Sequence, residues 1–276
     1  MDTKIKAKKH LWQNFLRNKN ILASIVWVGE LSDKHIIEIG PGPGDLTEMI
    51  LIKKPLSLDL IEIDTDMFPL LEQRFNGEKI TINHNDVLRV NIQNWEWRIP
   101  EWIIFTQENT LLKTSYHVYG NIPYYITSPI LRHFLYEVSL TPETITVTMQ
   151  KEVADRILAR DGKNSVLSLS CQLMADVEKI CDISPNNFVP APKVWSTCLK
   201  FTLKNSDSKS MKKILSIIEK GFSQKRKKLI SNLSDRFPRE QLSSSFRKLW
   251  IDENTRAEDL SQEQWIALSG LLFSDS

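Results

Sequence analysis

The chain has 276 residues, a formal net charge of +2, 41% hydrophobic and 25% charged residues, which suits one large or two unequal globular domains with a sizeable core. No apolar run reaches membrane-spanning length, and the basic start has no apolar h-region, so the expectation is a cytoplasmic protein without a secretory signal. Cys171, Cys181 and Cys198 are odd in number and lack a Cys-x-x-Cys pair, and the five histidines show no ligand spacing, so reduced thiols and no metal are expected.

In chain order, a helix is expected over residues 13–31. Strands follow at His35–Ile39, Leu56–Ile63, Lys79–Asn83, Tyr116–Tyr119, Thr144–Met149 and Val194–Phe201. Helices are expected between them at Leu46–Ile52, Thr65–Phe75, Ser128–Val138 and Lys151–Ala159. Strand–helix alternation argues for an α/β, doubly wound parallel sheet. The polar stretch Lys204–Ser210 reads as a linker, so the first domain is placed at 1–204 and the second at 205–276. Beyond it the period is helical, over Met211–Leu233, Arg239–Trp250 and Gln262–Leu272, which describes a small all-helical domain. The tryptophan-rich insert around Trp95–Trp102 has no clear secondary-structure signal.

The first strand runs into Glu38-Ile39-Gly40-Pro41-Gly42-Pro43-Gly44, with a helix after it. The glycines permit a tight turn and close approach of a ligand. Their spacing is not that of dinucleotide binders, and Pro41 and Pro43 remove N–H donors that a pyrophosphate needs. The second strand ends at Glu62-Ile63-Asp64 and the third leads to Asn85-Asp86. In an open parallel sheet such ends face one crevice, and a carboxylate there can take ribose hydroxyls. Acids at successive strand ends suit a cationic adenosine cofactor, S-adenosylmethionine.

The fourth strand delivers Asn121-Ile122-Pro123-Tyr124 to the same crevice. The exocyclic amine of adenine is a poor nucleophile, because its lone pair is delocalised into the ring. Acceptors for its N–H groups, here the Asn121 side-chain oxygen and the Ile122 carbonyl, favour a tetrahedral nitrogen whose lone pair can attack a methyl. Pro123 fixes the turn and Tyr124 offers a stacking face.

This tetrapeptide resembles that of the adenine-N6 methyltransferases. Gln13-Asn14-Phe15-Leu16 resembles the "GQNFL" opening of the ribosomal RNA adenine dimethyltransferases. Blocks at Lys151–Ile157, Phe188–Val194, Gly221–Leu229 and Arg256–Ser261 follow in that family's order, from about residue 8 to 270. The small-subunit branch is the nearer likeness. The resemblance implies a Rossmann-like class I methyltransferase sheet with helices on both faces. It implies N6,N6-dimethylation of two adjacent adenosines in a hairpin near the 3′ end of 16S rRNA, within the immature small (30S) ribosomal subunit. It implies cofactor contacts at Asn14, Leu16, Gly40, Gly42, Glu62, Asp86 and Asn121, and Phe188 stacking on the target base opposite Tyr124. A monomer whose helical domain helps dock on the particle is expected. The basic run Lys225-Arg226-Lys227-Lys228 and the N-terminal lysines are expected to meet phosphates. Two departures stand out: the family's glycine before Gln13 is Trp12 here, and the insert around Trp95–Trp102 is longer than usual.

Three other readings share features of the chain. A large-subunit enzyme of the macrolide-resistance type has the same cofactor and catalytic motifs. A non-catalytic assembly factor could keep the fold. A nicotinamide oxidoreductase would need a different glycine spacing.

Overall fold

A strand order that reverses in mid-sheet places the functional crevice. The computed structural model describes residues 8, 11–89, 115–138, 140–159, 164–204 and 208–274, so the insert around Trp95–Trp102 lies outside the described residues. The elements in chain order are β1 (Phe15–Leu16), α1 (Lys19–Trp27), β2 (His35–Ile39), α2 (Asp45–Ile52), β3 (Ser57–Glu62), α3 (Phe68–Arg74), β4 (Ile80–His84) and β5 (Tyr116–Asn121). Then come α4 (Thr127–Arg132), β6 (Thr144–Gln150), α5 (Lys151–Leu158), α6 (Val166–Met174), β7 (Ala175–Ile183), β8 (Phe188–Val189) and β9 (Ser196–Leu203). The chain closes with α7 (Ser208–Gly221), α8 (Leu229–Leu233), α9 (Arg239–Lys248) and α10 (Gln262–Leu272).

Seven strands form one sheet in the order β4-β3-β2-β5-β6-β9-β7. The pairs β2–β3, β3–β4, β2–β5 and β5–β6 are parallel. Because crossovers are right-handed, those leading from β2 outward to β4 and those leading through β5 to β6 cover opposite faces. The sheet is therefore doubly wound, and its switch point lies between β2 and β5, where a crevice opens at the carboxyl ends. The doubly wound parallel sheet is extended beyond β6 by β9, which runs antiparallel to it, pairing Thr144 with Thr202 and Gln150 with Ser196. The edge strand β7 is not foreseen from the sequence, because only its ends are buried and its middle alternates weakly.

Local chemistry explains the other differences. Residues 13–31 are not one helix: Phe15 and Leu16 pair antiparallel with Val189 and Phe188. Asn18 then caps α1, its side-chain oxygen accepting from the N–H groups of Asn20 and Ile21 at 3.0 and 3.3 Å. Met211–Leu233 is not continuous either. It breaks after Gly221, where the buried Asn232 amide donates to the Gly221 carbonyl at the helix end and to the Gln224 carbonyl in the turn beyond it. Helix α7 starts at Ser208 and so takes up the end of the expected linker. Cys171 and Cys198 are buried, Cys181 is half-buried, and all are free thiols.

The fold divides into two compact units. One comprises the described residues up to Ala154 together with Val177–Leu203; the other comprises Asp155–Asp176 together with the described residues from Lys204 onward. The helical unit thus draws on two stretches of sequence rather than on a single one beginning at 205. Its core includes Leu229, Ile230, Leu242, Phe246, Leu260 and Leu268 around the fully buried Trp265. Gly221 ends α7 against the Trp265 indole, and a Cβ there would lie 2.5 Å from the ring. Replacing Gly221 by alanine gains roughly 1 kcal/mol of helix propensity but forces a buried indole aside, at about 1–3 kcal/mol. Gly221→Ala is expected to lower the urea unfolding midpoint.

Candidate active site

The loop after β2 is shaped by backbone conformation. Gly40, Gly42 and Gly44 have φ of +63°, +53° and +87°, values that side chains oppose. A Cβ on Gly42 would strike the Phe15 ring at 2.8 Å, whereas one on Gly40 would meet nothing within 4 Å. Gly40 therefore offers bare backbone to open space.

The Glu62 carboxylate ties this loop to the end of β3. Its Oε2 accepts the Gly42 N–H at 3.0 Å, and its Oε1 accepts those of Ile63 and Asp64 at 2.9 and 2.8 Å. Glu62 is only 4% exposed. Burial raises its pKa, and the backbone donors oppose that shift. Glu38, at 1% exposure, accepts the Thr47 hydroxyl at 2.7 Å through Oε2. Its Oε1 is buried without a partner among the described residues. Desolvation pushes the Glu38 pKa up to about 8.

Beyond β4, Asn85 and Asp86 form a turn in which Asp86 Oδ1 accepts the Leu88 N–H at 3.1 Å. At the end of β5 the Asn121 amide donates to the Asn14 carbonyl at 2.9 Å, which leaves its Oδ1 as the group for an incoming donor. The Tyr124 hydroxyl shares a 2.7 Å hydrogen bond with Ser196 at the start of β9. Burial raises the Tyr124 pKa, and the Ser196 bond acts against it.

The N-terminal segment is bound at several points. Asp64 accepts the Lys8 ammonium at 2.6 Å and the Gln13 amide at 2.7 Å. Burial acts to raise the Asp64 pKa, but these donors outweigh it and hold the carboxyl below its usual value. Arg17 pairs with Asp45 at 2.7 Å. Trp12 has φ +52°, a left-handed conformation that costs a residue with a Cβ about 1–2 kcal/mol. The family glycine would sit there unstrained. The Asn14 side chain donates to the Trp12 carbonyl at 3.1 Å and braces the turn.

These elements enclose a cavity of ≈ 340 Å³ at the switch point. Asn14, Leu16, Gly40, Gly42, Glu62, Asp86, Asn121, Ile122, Pro123, Tyr124 and Phe188 all line it. Phe188 does so from within the core, at 3% exposure. Lys225–Lys228 belong to the other unit and stand exposed on the turn between α7 and α8, not within a helix. The Asp64 clasp is not foreseen from the sequence, although Asp64 is visible beside Glu62, and no local signal marks Ser196 as the Tyr124 partner. Among the described residues, no group of His, Cys, Asp or Glu could hold a metal ion, and no helix is long and apolar enough to cross a membrane.

Comparison with known proteins places this arrangement. The profile described as "Ribosomal RNA adenine dimethylase" matches residues 4–272. The chain belongs to the ribosomal RNA adenine dimethylase family. It is 36% identical over 267 residues to the ribosomal RNA small subunit methyltransferase A of Mycoplasmopsis pulmonis, covering 96% of this chain and 98% of that one. With the same-named protein of Pelagibacter ubique it shares 34% over 273 residues, covering 96% of each. Two crystal structures share the fold. The 23S rRNA methyltransferase ErmE is matched with TM-score 0.70 and 24% identity, over 94% of this chain and 99% of that one. A dimethyladenosine transferase from Plasmodium falciparum is matched with TM-score 0.72 and 23% identity, over 92% and 95%. This family member thus has a mixed sheet with helices on both faces and a helical C-terminal region.

The buried acid beside the glycine loop gives a pH test. An unfolded glutamate titrates near 4.5 and Glu38 in the folded protein near 8. The folded state holds the proton longer, so the contribution of Glu38 to stability is fullest below pH 4.5 and is lost as pH rises toward 8. Glu38→Gln removes that loss. Its urea midpoint, relative to wild type, is expected to rise between pH 5 and pH 8 in a buffer series spanning that window.

Proposed function

We propose that this family member uses S-adenosylmethionine to dimethylate the N6 amines of two adjacent adenosines in the hairpin near the 3′ end of 16S rRNA, within the immature small subunit. The single observation that carries the reading is the Asn121 side chain: its amide is held by the Asn14 carbonyl, so its oxygen is left to accept within the cavity.

The residues fit the cofactor on two counts. Gly40 presents open space where any side chain would intrude, and Glu38 keeps a buried acceptor without a partner among the described residues. Glu38, Glu62 and Asp86 are the acids that would hold it, with Asn14 and Leu16 closing over it; when bound, it supplies an electrophilic methyl on a cationic sulfur. The two prolines of the loop lack N–H groups and so disfavour a pyrophosphate.

The chain's own work is to prepare the amine. Asn121 Oδ1 and the Ile122 carbonyl accept its N–H groups, which localises the lone pair on nitrogen. Pro123 fixes the spacing of these acceptors. Tyr124 stacks on the base, its ring anchored through Ser196, and Phe188 backs the opposite wall. No strong base is needed, since the proton leaves after the nitrogen has become cationic. Extruding the base costs roughly a few kcal/mol, and stacking returns about 1–3 kcal/mol. Phosphate contacts from Lys225–Lys228 supply further affinity. The small-subunit assignment rests on the 34–36% identity to relatives of that name, against 24% to the 23S enzyme.

The direct test is transfer of labelled methyl from S-adenosylmethionine to undermethylated small subunits, large subunits and naked rRNA, with the product nucleoside identified by mass. Dimethyladenosine on small subunits alone is expected; label on large-subunit RNA would move the reading to the resistance-type enzyme. Asn121→Ala is expected to lower kcat by about 10²-fold or more, as for loss of a transition-state partner, with the fold intact by circular dichroism. Near-normal turnover in that variant would refute the role given to Asn121. The triple variant Lys225→Ala, Arg226→Ala, Lys227→Ala is expected to raise KM for rRNA and to flatten the salt dependence by about one unit of slope for each phosphate that is no longer neutralised.

A further inference from the structure

Trp12 stands where the backbone favours glycine, and its side chain gains little from the protein interior. It is 67% exposed, has φ +52°, and lines the rim of the cavity. A large aromatic held in an unfavourable conformation with most of its ring in water is not explained by packing. Asp33, Lys54 and Trp250 are left-handed too, but among these described residues Trp12 alone lines the cavity, and strain of this kind clusters at functional sites. On the Asn121–Tyr124 side, Tyr125 has the same character: it lines the cavity, is 58% exposed, and follows directly on Tyr124.

We propose that Trp12, together with Tyr125, forms a stacking subsite at the cavity rim for the unpaired base beside the target adenosine. The proposal rests on the rRNA adenine reading above and extends it to the neighbouring nucleotide. Every base has a π-face, so an exposed indole and phenol can hold one without reading its edge. A substrate whose target has an adjacent adenosine presents such a base whenever the target is drawn out of its stack. The rim is also wired to the chemistry. The Asn14 side chain braces the Trp12 carbonyl at 3.1 Å, and the Asn14 carbonyl accepts the Asn121 amide at 2.9 Å. The turn that carries the indole is therefore the turn that orients the amine acceptor.

The test compares Trp12→Gly, Trp12→Leu, Trp12→Phe and Tyr125→Leu. Readouts are kcat and KM on undermethylated small subunits, the Kd for S-adenosylmethionine by calorimetry, and the thermal midpoint. Loss of one stacked base corresponds to a fall of about 5- to 150-fold in kcat/KM, expected for Trp12→Gly and Trp12→Leu and in smaller measure for Tyr125→Leu. Trp12→Phe keeps most activity, because it keeps a ring. The cofactor Kd stays unchanged throughout, and Trp12→Gly melts higher than wild type while acting more slowly, a split that a purely structural role does not produce. Wild-type kcat/KM in Trp12→Gly overturns the subsite alone. Equal weakening of cofactor binding in Trp12→Gly and Trp12→Leu also overturns it, in favour of a cofactor lid. A wild-type protein that methylates no rRNA overturns the subsite together with the reading beneath it.

Discussion

One carboxylate holds the crevice together. Glu62 reaches from the end of β3 to the N–H of Gly42 and to two N–H groups of its own turn. Without it, the glycine loop would join adjacent strand ends through chain connectivity and a few backbone bonds such as Gly40 N–H to the Ile61 carbonyl. The three glycines adopt left-handed conformations that carry a high entropic cost, since glycine loses most freedom on ordering. A buried acceptor with several donors offsets that cost in one place and fixes the loop at the distance from β3 that the cavity requires.

The N-terminal segment uses the same economy of bonds. Asp64, two residues after Glu62, grips Lys8 and Gln13, while Asn14 meets the end of β5 and Phe15 packs on Gly42. The ends of β3 and β5 and the glycine loop thus each have a partner in a segment lying outside the main sheet. This wall combines side-chain hydrogen bonds at Lys8, Gln13 and Asn14 with burial of Leu16 and packing of Phe15 against the core.

The parallel core was legible because its strands are buried on both faces and read as apolar runs ending in turn residues. The site was legible for a related reason: Gly40–Gly44, Glu62, Asp86 and Asn121–Tyr124 are each local signals at strand ends, and strand ends of an open α/β sheet converge. What escaped was non-local or solvent-facing. The edge strand β7 is buried only at its ends, so no period marks it. The pairing of Phe15–Leu16 with Phe188–Val189 depends on a partner far along the chain and looks like the start of a helix when read alone. The left-handed Trp12 is invisible in composition, because a tryptophan gives no sign of its φ; only the family's glycine at that place pointed to it. The turn after Gly221 is braced by one buried asparagine, Asn232, whose role no periodicity reveals.

The pairing of β1 with β8 also orders events in time. Two-residue strands have no stability of their own, so the wall they form depends on both segments being present. Leu16 is made early and Phe188 late. At a synthesis rate of about 5–20 residues per second, the interval between them is roughly 10–35 s. Through that interval the nascent chain can carry the glycine loop, the acids and the Asn121 motif, but not the β1–β8 pair that walls the cavity. This wall of the cavity therefore waits on residues made late, and its closure needs most of the first unit to be present.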